Sequence, residues 1–162
     1  MRRFFFAALA LLPALPLAFV LPASAGSLEP RDGWVVIDTD KPFATLLADL
    51  KMAVGNNNFG VVTEAGPTGV ARSRGVEIPD NRVVGVFNNV YAVRILQLST
   101  AAMIEAPIRF YLTDDEDGTA TLSYKTPSTV FAPYIDEAPE DLAVAAGELD
   151  GIFMTIAEAA VD

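Results

Sequence analysis

The sequence contains neither cysteine nor histidine among its 162 residues. Without cysteine the chain forms no disulfide and carries no thiol redox chemistry, so packing alone must hold the fold. Without either residue type it has no Ser-His-Asp or Cys-His nucleophile system, and it lacks the usual ligands of zinc, copper and haem. We therefore predict no catalytic residue of these classes, no metal site and no cofactor.

Basic residues are also scarce, with 11 Lys and Arg against 21 Asp and Glu and a net charge of −10. Two of the 11 are Arg2 and Arg3, so the chain from Gly26 onward has nine basic residues and a net charge of −12. A surface of this sign repels nucleic acid and anionic lipid. Neither is predicted as a partner.

The first 25 residues have the composition of a secretory signal peptide. Arg2 and Arg3 precede an apolar run over Phe4–Leu21, and Ala23-Ser24-Ala25 forms a small-x-small cleavage site. We predict cleavage after Ala25, a periplasmic or secreted protein, and no stable membrane anchor once the signal is removed. The alternative is a retained anchor, because the apolar run is just long enough to span a bilayer. Prolines in and beside the run weaken such a helix.

The clearest structural pattern lies over Pro107–Pro127. Apolar and polar side chains alternate on both sides of an acidic turn that ends at Gly118, which predicts an antiparallel hairpin with one apolar face. Glycine suits the left-handed position that closes such a turn. Two registers fit the pattern, one pairing Phe110 with Leu122 and a glycine-bulge register pairing Phe110 with Tyr124. Both keep the same side chains inward, because they differ by two residues.

The remaining elements complete a single domain over residues 26–162. Strands are predicted over 34–38, 59–64 and 82–87, helices over about 40–54, 68–74, 88–96 and 140–160, and a surface connection over 127–139. Asp40 is the predicted N-cap of the first helix, and Ala92, Ile95 and Leu96 are the predicted inward positions of the third. This order predicts an α+β fold, a two-layer antiparallel sheet packed on a long C-terminal helix.

Several segments between Lys41 and Ala160 resemble a known family. The segments are KPFATLLADL, FGVVTE, GVARSRGVEIPDNRVVGVFNN and APIRFYLTDDEDGTATLSYKTPS. On these residues the chain resembles the domain of unknown function 302 (DUF302) family. The positions that match typical family motifs are Phe87, Asn89, Pro107, Ser123, Tyr124 and Pro127.

The resemblance implies a β-α-β(4)-α, TBP-like fold, in agreement with the order of elements above. It implies no function, because the function of the family is not established. The chain departs from the family pattern at Val90, where proline is frequent, and at Ala106, where leucine is frequent. Glu64-Ala65 stands where many relatives have Asp-His, so any role of that histidine is absent here.

The predicted fold suggests a binding site between its layers. A sheet that grips a long helix can enclose an apolar cavity, and related helix-grip folds bind hydrophobic molecules there. The predicted lining is Phe110, Leu122, Tyr124, Ile152, Phe153 and Ile156. An ordinary filled core made by the same residues is the simpler interpretation. We predict a non-enzymatic binding module for a small hydrophobic or amphiphilic ligand, or for a protein partner.

A carboxylate-dependent hydrolase or isomerase is the alternative function. It would pair Glu64 or Glu105 with Arg94 or Arg109, provided that two of these groups meet in one cleft. Homodimerisation through a sheet edge or the outer hairpin face is compatible with either function. Sedimentation at micromolar concentration would detect it.

Three sets of polar residues are weaker candidates for a binding site. Arg109, Tyr111, Thr121 and Ser123 share the polar hairpin face, which could be the floor of a ligand site but is more often simply solvated. The acidic turn invites a calcium interpretation, yet Thr113 and Tyr124 stand where a calcium-binding EF-hand loop needs carboxylates, so a solvated turn is the better account. Residues 66–69 with the arginines at 72 and 74 could bind an anion, or could be a short helix with solvated arginines.

The signal peptide predicts the N-terminus of the mature protein. When the full chain is expressed in a bacterium with a periplasm, the intact mass and N-terminal sequencing should place the first residue at Gly26. A periplasmic or membrane-bound product that still begins at Met1 would instead support the retained anchor.

Overall fold

The computed structural model describes residues 28–115 and 117–162. The predicted signal peptide lies outside the described residues, as does Glu116 of the acidic turn. Within the described ranges, no helix combines the length and the apolar character that a membrane crossing requires.

Five strands form one antiparallel sheet in the order β1-β5-β4-β3-β2. The strands are β1 (Trp34–Thr39), β2 (Gly60–Ala65), β3 (Asn81–Phe87), β4 (Ile108–Asp114) and β5 (Ala120–Lys125). The predicted hairpin therefore supplies the two strands β4 and β5, and β4 is the central strand of the sheet. β2 is an edge strand, and all six of its residues are exposed.

The helices complete the predicted β-α-β(4)-α order, with short additions between the strands. They are α1 (Phe43–Asn56), α2 (Thr68–Ser73), α3 (Asn89–Leu98), α4 (Pro127–Phe131) and α5 (Pro139–Val161), with 3₁₀ helices over Ala102–Glu105 and Ala132–Glu137. α5 is the long C-terminal helix that the apolar spacing predicts. The α+β class and the antiparallel sheet are confirmed.

The core forms where one face of the sheet packs on α1 and α5. Phe110 of β4 stacks on Phe153 of α5 with ring centroids 4.8 Å apart and an interplanar angle of 14°. Tyr124 of β5 meets Phe110 edge-on at 5.0 Å. Each of these three residues is at most 2% exposed. Burial of one such side chain contributes roughly 1.5–3 kcal/mol, so the three together contribute several kcal/mol of hydrophobic stabilisation.

The hairpin adopts the glycine-bulge register, in which Phe110 pairs with Tyr124. Gly118 has a φ of +88°, the left-handed conformation expected of it. The Asp115 amide donates to the Thr119 carbonyl at 2.9 Å, and the Gly118 amide donates to the Asp115 carbonyl at 3.1 Å. These bonds close the turn and fix the register that the alternation alone left open.

Two helix predictions are wrong in detail. α1 begins at Phe43, after Pro42, and no side chain caps it, so Asp40 is not its N-cap. In α3, Ile95 is buried but Leu96 is 47% exposed. The inward stripe of α3 runs through Tyr91, Ile95 and Leu98, and these spacings of four and three turn Leu96 toward solvent.

The predicted surface connection over residues 127–139 is also wrong, because most of it is helical. Pro127 occupies the first turn of α4, where its missing amide hydrogen costs nothing. The Thr126 side chain caps the same helix by accepting from the Thr129 amide at 3.3 Å. Phe131 is 2% exposed and belongs to the core. Proline therefore marks a helix start here rather than a loop.

The aromatic cluster predicts that two substitutions in α5 differ strongly in their effect on the free energy of unfolding. Phe153→Ala should lower the free energy of unfolding by about 3–5 kcal/mol, because it removes a buried ring and leaves a cavity. Val144→Ala on the same helix is the control, since Val144 is 55% exposed. Its effect should stay within about 0.5 kcal/mol. Urea unfolding measures both, and a Phe153→Ala loss below about 1 kcal/mol would contradict a filled core at this position.

Candidate functional site

The six residues predicted to line a cavity form part of the packed core. Five of them are at most 2% exposed, and the sixth, Ile152, is half-buried. Tyr124 also contacts Phe153, with ring centroids 5.7 Å apart. These contacts favour the filled-core interpretation of the six residues over a ligand cavity between the layers.

A small apolar cavity lies beside this core, between α3 and the sheet. Its volume is about 40 Å³, and its lining includes Phe59, Val86, Tyr91 and Ile95. That volume exceeds what one water molecule needs but falls far below the 300–1,000 Å³ of typical ligand pockets. This cavity is therefore too small to hold a ligand of ordinary size.

A groove of about 570 Å³ opens on the other face of the sheet, which we call the uncovered face. Its lining includes Trp34, Val83, Glu105, Arg109, Tyr111 and Lys125. None of these six residues belongs to the buried apolar core, but the lining also includes two residues that do, Ile108 and Tyr124, and Tyr124 is one of the six residues predicted to bind a ligand. The volume of the groove falls within the range of small-molecule sites.

Strand alternation and register bring the groove residues together. Trp34 begins β1 and faces away from the core, whereas its neighbour Val35 packs against the core. Trp34 pairs with Lys125 across β1 and β5, and Val83 pairs with Tyr111 across β3 and β4. Because successive side chains of a strand point to opposite faces, the inward register of the core also determines which side chains form the groove.

Gly85 of β3 leaves room on the uncovered face beside Arg109, its partner in β4. A Cβ atom at this position would overlap Thr63 Oγ1 and would lie 2.9 Å from Pro107 Cγ. The missing side chain therefore allows Pro107 to lie over the sheet. This proline immediately precedes β4 and stands in the sequence between two residues of the groove lining, Glu105 and Arg109.

Cations gather around Trp34. The Arg31 guanidinium carbon lies 5.3 Å from the ring centroid, and Lys125 Nζ lies 5.6 Å from it. Arg31, Lys125 and Arg109 form no salt bridge with any carboxylate in the described ranges. The groove is thus locally basic in a chain whose net charge is −10.

Glu105 is the carboxylate of the groove lining, and it already has a partner. The Tyr134 hydroxyl donates to Glu105 Oε1 at 2.7 Å. This hydrogen bond raises the pKa of Tyr134, because it favours the protonated phenol. Glu105 and Arg109 line the same groove, so two of the four groups predicted for carboxylate chemistry share one concavity.

The other two predicted acid-base groups are engaged in ion pairs elsewhere. Glu64 pairs with Lys51 and Arg82, the latter at 3.2 Å. Arg94 Nη1 donates to Glu148 Oε2 at 2.6 Å. The hydrogen bond from Arg94 lowers the pKa of Glu148, as expected for an exposed pair rather than a poised catalytic acid.

The acidic turn holds its carboxylates in contrasting environments. Thr121 Oγ1 lies 2.8 Å from Asp115 Oδ2 and 3.0 Å from Asp38 Oδ1. Burial raises the pKa of Asp115, whereas hydrogen bonds from Thr119 lower the pKa of Asp117. In residues 28–115 and 117–162, no three His, Cys, Asp or Glu side chains converge as ligands for a metal ion.

The sequence identified part of the groove and missed the rest. Arg109 and Tyr111 were predicted as a possible ligand floor, but Thr121 and Ser123 on the same face are each only 1% exposed and lie beneath their longer neighbours. Trp34 was not predicted as a groove residue, because the sequence of β1 is apolar on both faces and does not show which side chains point outward. The chain has no other tryptophan, and this was the available signal.

These observations define an α+β protein whose helices cover one face of an antiparallel sheet and leave a groove on the other. The family model described as "Domain of unknown function DUF302" matches residues 35–156. The chain belongs to the DUF302 family, as its motifs predicted.

A solved structure supports the fold. The crystal structure of an uncharacterized conserved protein DUF302 from Bacillus stearothermophilus superposes with a TM-score of 0.70 at 15% sequence identity. The match covers 80% of this chain and 98% of that chain. At this identity the likeness concerns the fold alone. No curated protein matches the sequence.

Asp115 and Asp117 of the acidic turn should affect the melting temperature in opposite directions as the pH changes. Asp115→Asn should raise the melting temperature near neutral pH, because the raised pKa means that the charged carboxylate destabilises the folded state. This penalty appears as the pH rises from the unfolded-state pKa through the folded-state pKa. The gain should therefore vanish below the ordinary carboxyl pKa of about 4.

Asp117→Asn is the matched control with the opposite sign. The lowered pKa of Asp117 stabilises the fold above its unfolded-state pKa, and this contribution is lost as the pH falls through the folded-state pKa. The substitution should lower the melting temperature near neutral pH only. A lower melting temperature for Asp115→Asn at neutral pH would show that the bond from Thr121 outweighs burial.

Proposed function

We propose that this DUF302 protein is an exported, non-enzymatic binding module for a small hydrophobic or amphiphilic ligand, which it holds in the groove on the uncovered face. The observation that carries the proposal is the size and position of the groove, about 570 Å³ on a sheet face that the helices leave free. The cavity beside the packed core, at about 40 Å³, is far smaller than this groove.

The composition of the groove fits an amphiphilic molecule. Trp34, Tyr111 and Val83 provide apolar and aromatic surface, and Arg109 and Lys125 provide charged groups at the same concavity. Ligand sites typically combine a mainly apolar lining with a few polar groups that orient the ligand. Trp34 and Tyr111 are half-buried, so part of each ring is accessible to a ligand.

Export is the second element of the proposal. It is supported by the basic start, the apolar run and the small-residue site of residues 1–25. A chain without cysteine needs no oxidation step to fold after export. The ligand would then be a molecule of the periplasm or the medium.

A carboxylate-dependent reaction is the second candidate function. The specific observation in its favour is that Glu105 and Arg109 line one groove. Against it, Glu105 is hydrogen-bonded to Tyr134 and lacks a second carboxylate or a histidine in the lining. Binding without turnover therefore fits the groove better.

The binding proposal predicts a saturable response of Trp34. Titration with octanoate, 1-octanol and octyltrimethylammonium, which share one eight-carbon tail, should change the fluorescence of this single tryptophan for at least one probe. Val83→Phe should weaken the response, because the larger ring occupies part of the groove and displaces the ligand from Tyr111. Val70→Phe on α2 is the control, since Val70 is 65% exposed and lies outside the groove lining.

Three results would count against the proposal. Absence of a response to all three probes would contradict it, and so would a response that Val83→Phe leaves unchanged. Hydrolysis of p-nitrophenyl octanoate that is lost in Glu105→Gln would favour the carboxylate reaction instead.

A further inference from the structure

We infer that the groove selects an amphiphilic anion, whose charged head is bound by Arg109 and Lys125 beside Trp34. The inference rests on the proposed function, because it specifies the ligand class of the same groove. It concerns the sign of the ligand charge, which the binding proposal leaves open.

The distribution of cations over the molecule is the first argument. The described part of the chain has nine Lys and Arg residues, and Lys41, Lys51, Arg82 and Arg94 are engaged in salt bridges. The five that pair with no described carboxylate are Arg31, Arg72, Arg74, Arg109 and Lys125. Arg109 and Lys125 line the groove, and Arg31 lies over the ring of Trp34, so three of these five are concentrated at one site.

The strand register places these cations side by side. Lys125 is the partner of Trp34, and Arg109 is the partner of Gly85. Carried one residue beyond the Phe110–Tyr124 pair, the hairpin register sets Arg109 opposite Lys125. Directly opposed like charges on adjacent strands are destabilising unless an anion lies between them. The repulsion between Arg109 and Lys125 therefore destabilises the free protein locally, and a bound anion would remove this repulsion.

The chemistry of the side chains fits a compact anionic head. A guanidinium presents a planar fork of donors that matches a carboxylate or a phosphate, and an ammonium acts as a point charge beside it. Lys125 lies 5.6 Å from the centroid of Trp34, so the ring holds this cation at the groove. The carboxylate of the lining, Glu105, accepts from the Tyr134 hydroxyl at 2.7 Å, so it has a nearer partner than either groove cation.

The apolar surface beside these cations explains why the ligand needs a tail. Val83 and Tyr111 continue the groove across β3 and β4. A small inorganic anion would leave this surface wet and would gain only the weak attraction of exposed charges. An anion with an apolar tail gains burial of about 25 cal/mol per Å² in addition.

The test compares the three probes that share the eight-carbon tail. Octanoate should bind about fivefold more tightly than 1-octanol, the upper range for an exposed charge pair, and octyltrimethylammonium should bind most weakly. Raising the salt concentration should weaken octanoate binding and leave 1-octanol binding unchanged. Trp34 fluorescence reports all three titrations.

Charge-removing variants localise the effect. Arg109→Gln with Lys125→Gln should weaken octanoate binding about fivefold, so that octanoate loses its advantage over 1-octanol. Far-ultraviolet circular dichroism and a thermal melt show whether the double variant is folded. Arg72→Gln with Arg74→Gln is the matched control, because it removes the same charge at the C-terminal end of α2, outside the groove lining.

Each outcome tests either the anion inference or the proposed binding function. Equal binding of octanoate and 1-octanol, or equal losses in the two double variants, would overturn the anion inference while the binding module stands. Tighter binding of octyltrimethylammonium would overturn it as well. If no probe binds, the proposed function fails first, and the inference fails with it.

Discussion

Phe153 of the C-terminal helix stacks on Phe110 of the central strand, and this contact determines which face of the sheet is free. α1 and α5 occupy the face that carries Phe110, Leu122 and Tyr124. Successive side chains of a strand point to opposite faces, so the residues before and after each inward side chain point outward. The core therefore dictates that Arg109, Tyr111 and Lys125 point away from it. The groove is a consequence of the same register that builds the core.

Much of the fold follows from local patterns, and the groove does not. The hairpin and α5 were predicted correctly, because periods of two and of three to four residues can be read within one segment. The groove joins Trp34 to Lys125 and Val83 to Tyr111, pairs that depend on which strands become neighbours. That choice is set by packing of the whole domain. The error over residues 127–139 has a similar origin, because burial of Phe131 overrides the loop signal of its prolines.

The groove also resolves an apparent conflict in the charge of the molecule. A net charge of −10 argues against anionic partners of large extent, such as nucleic acid or an anionic membrane. A small anion experiences mainly the charges within about 8–10 Å, because salt screens the more distant ones. The groove lining contains two cations, Arg109 and Lys125, and one carboxylate, Glu105, and Arg31 lies over the ring of Trp34. A locally basic groove on an acidic protein can thus admit a small anion and exclude a large one.

The central claim is that ligands bind on the uncovered face and not between the layers. It is tested most directly by amide chemical-shift mapping in two-dimensional NMR spectra during an octanoate titration. The account predicts that the largest shifts fall on Trp34, Arg109 and Lys125. Largest shifts on Phe153 and Ile156, with the groove residues unmoved, would place the ligand in the core and contradict the account.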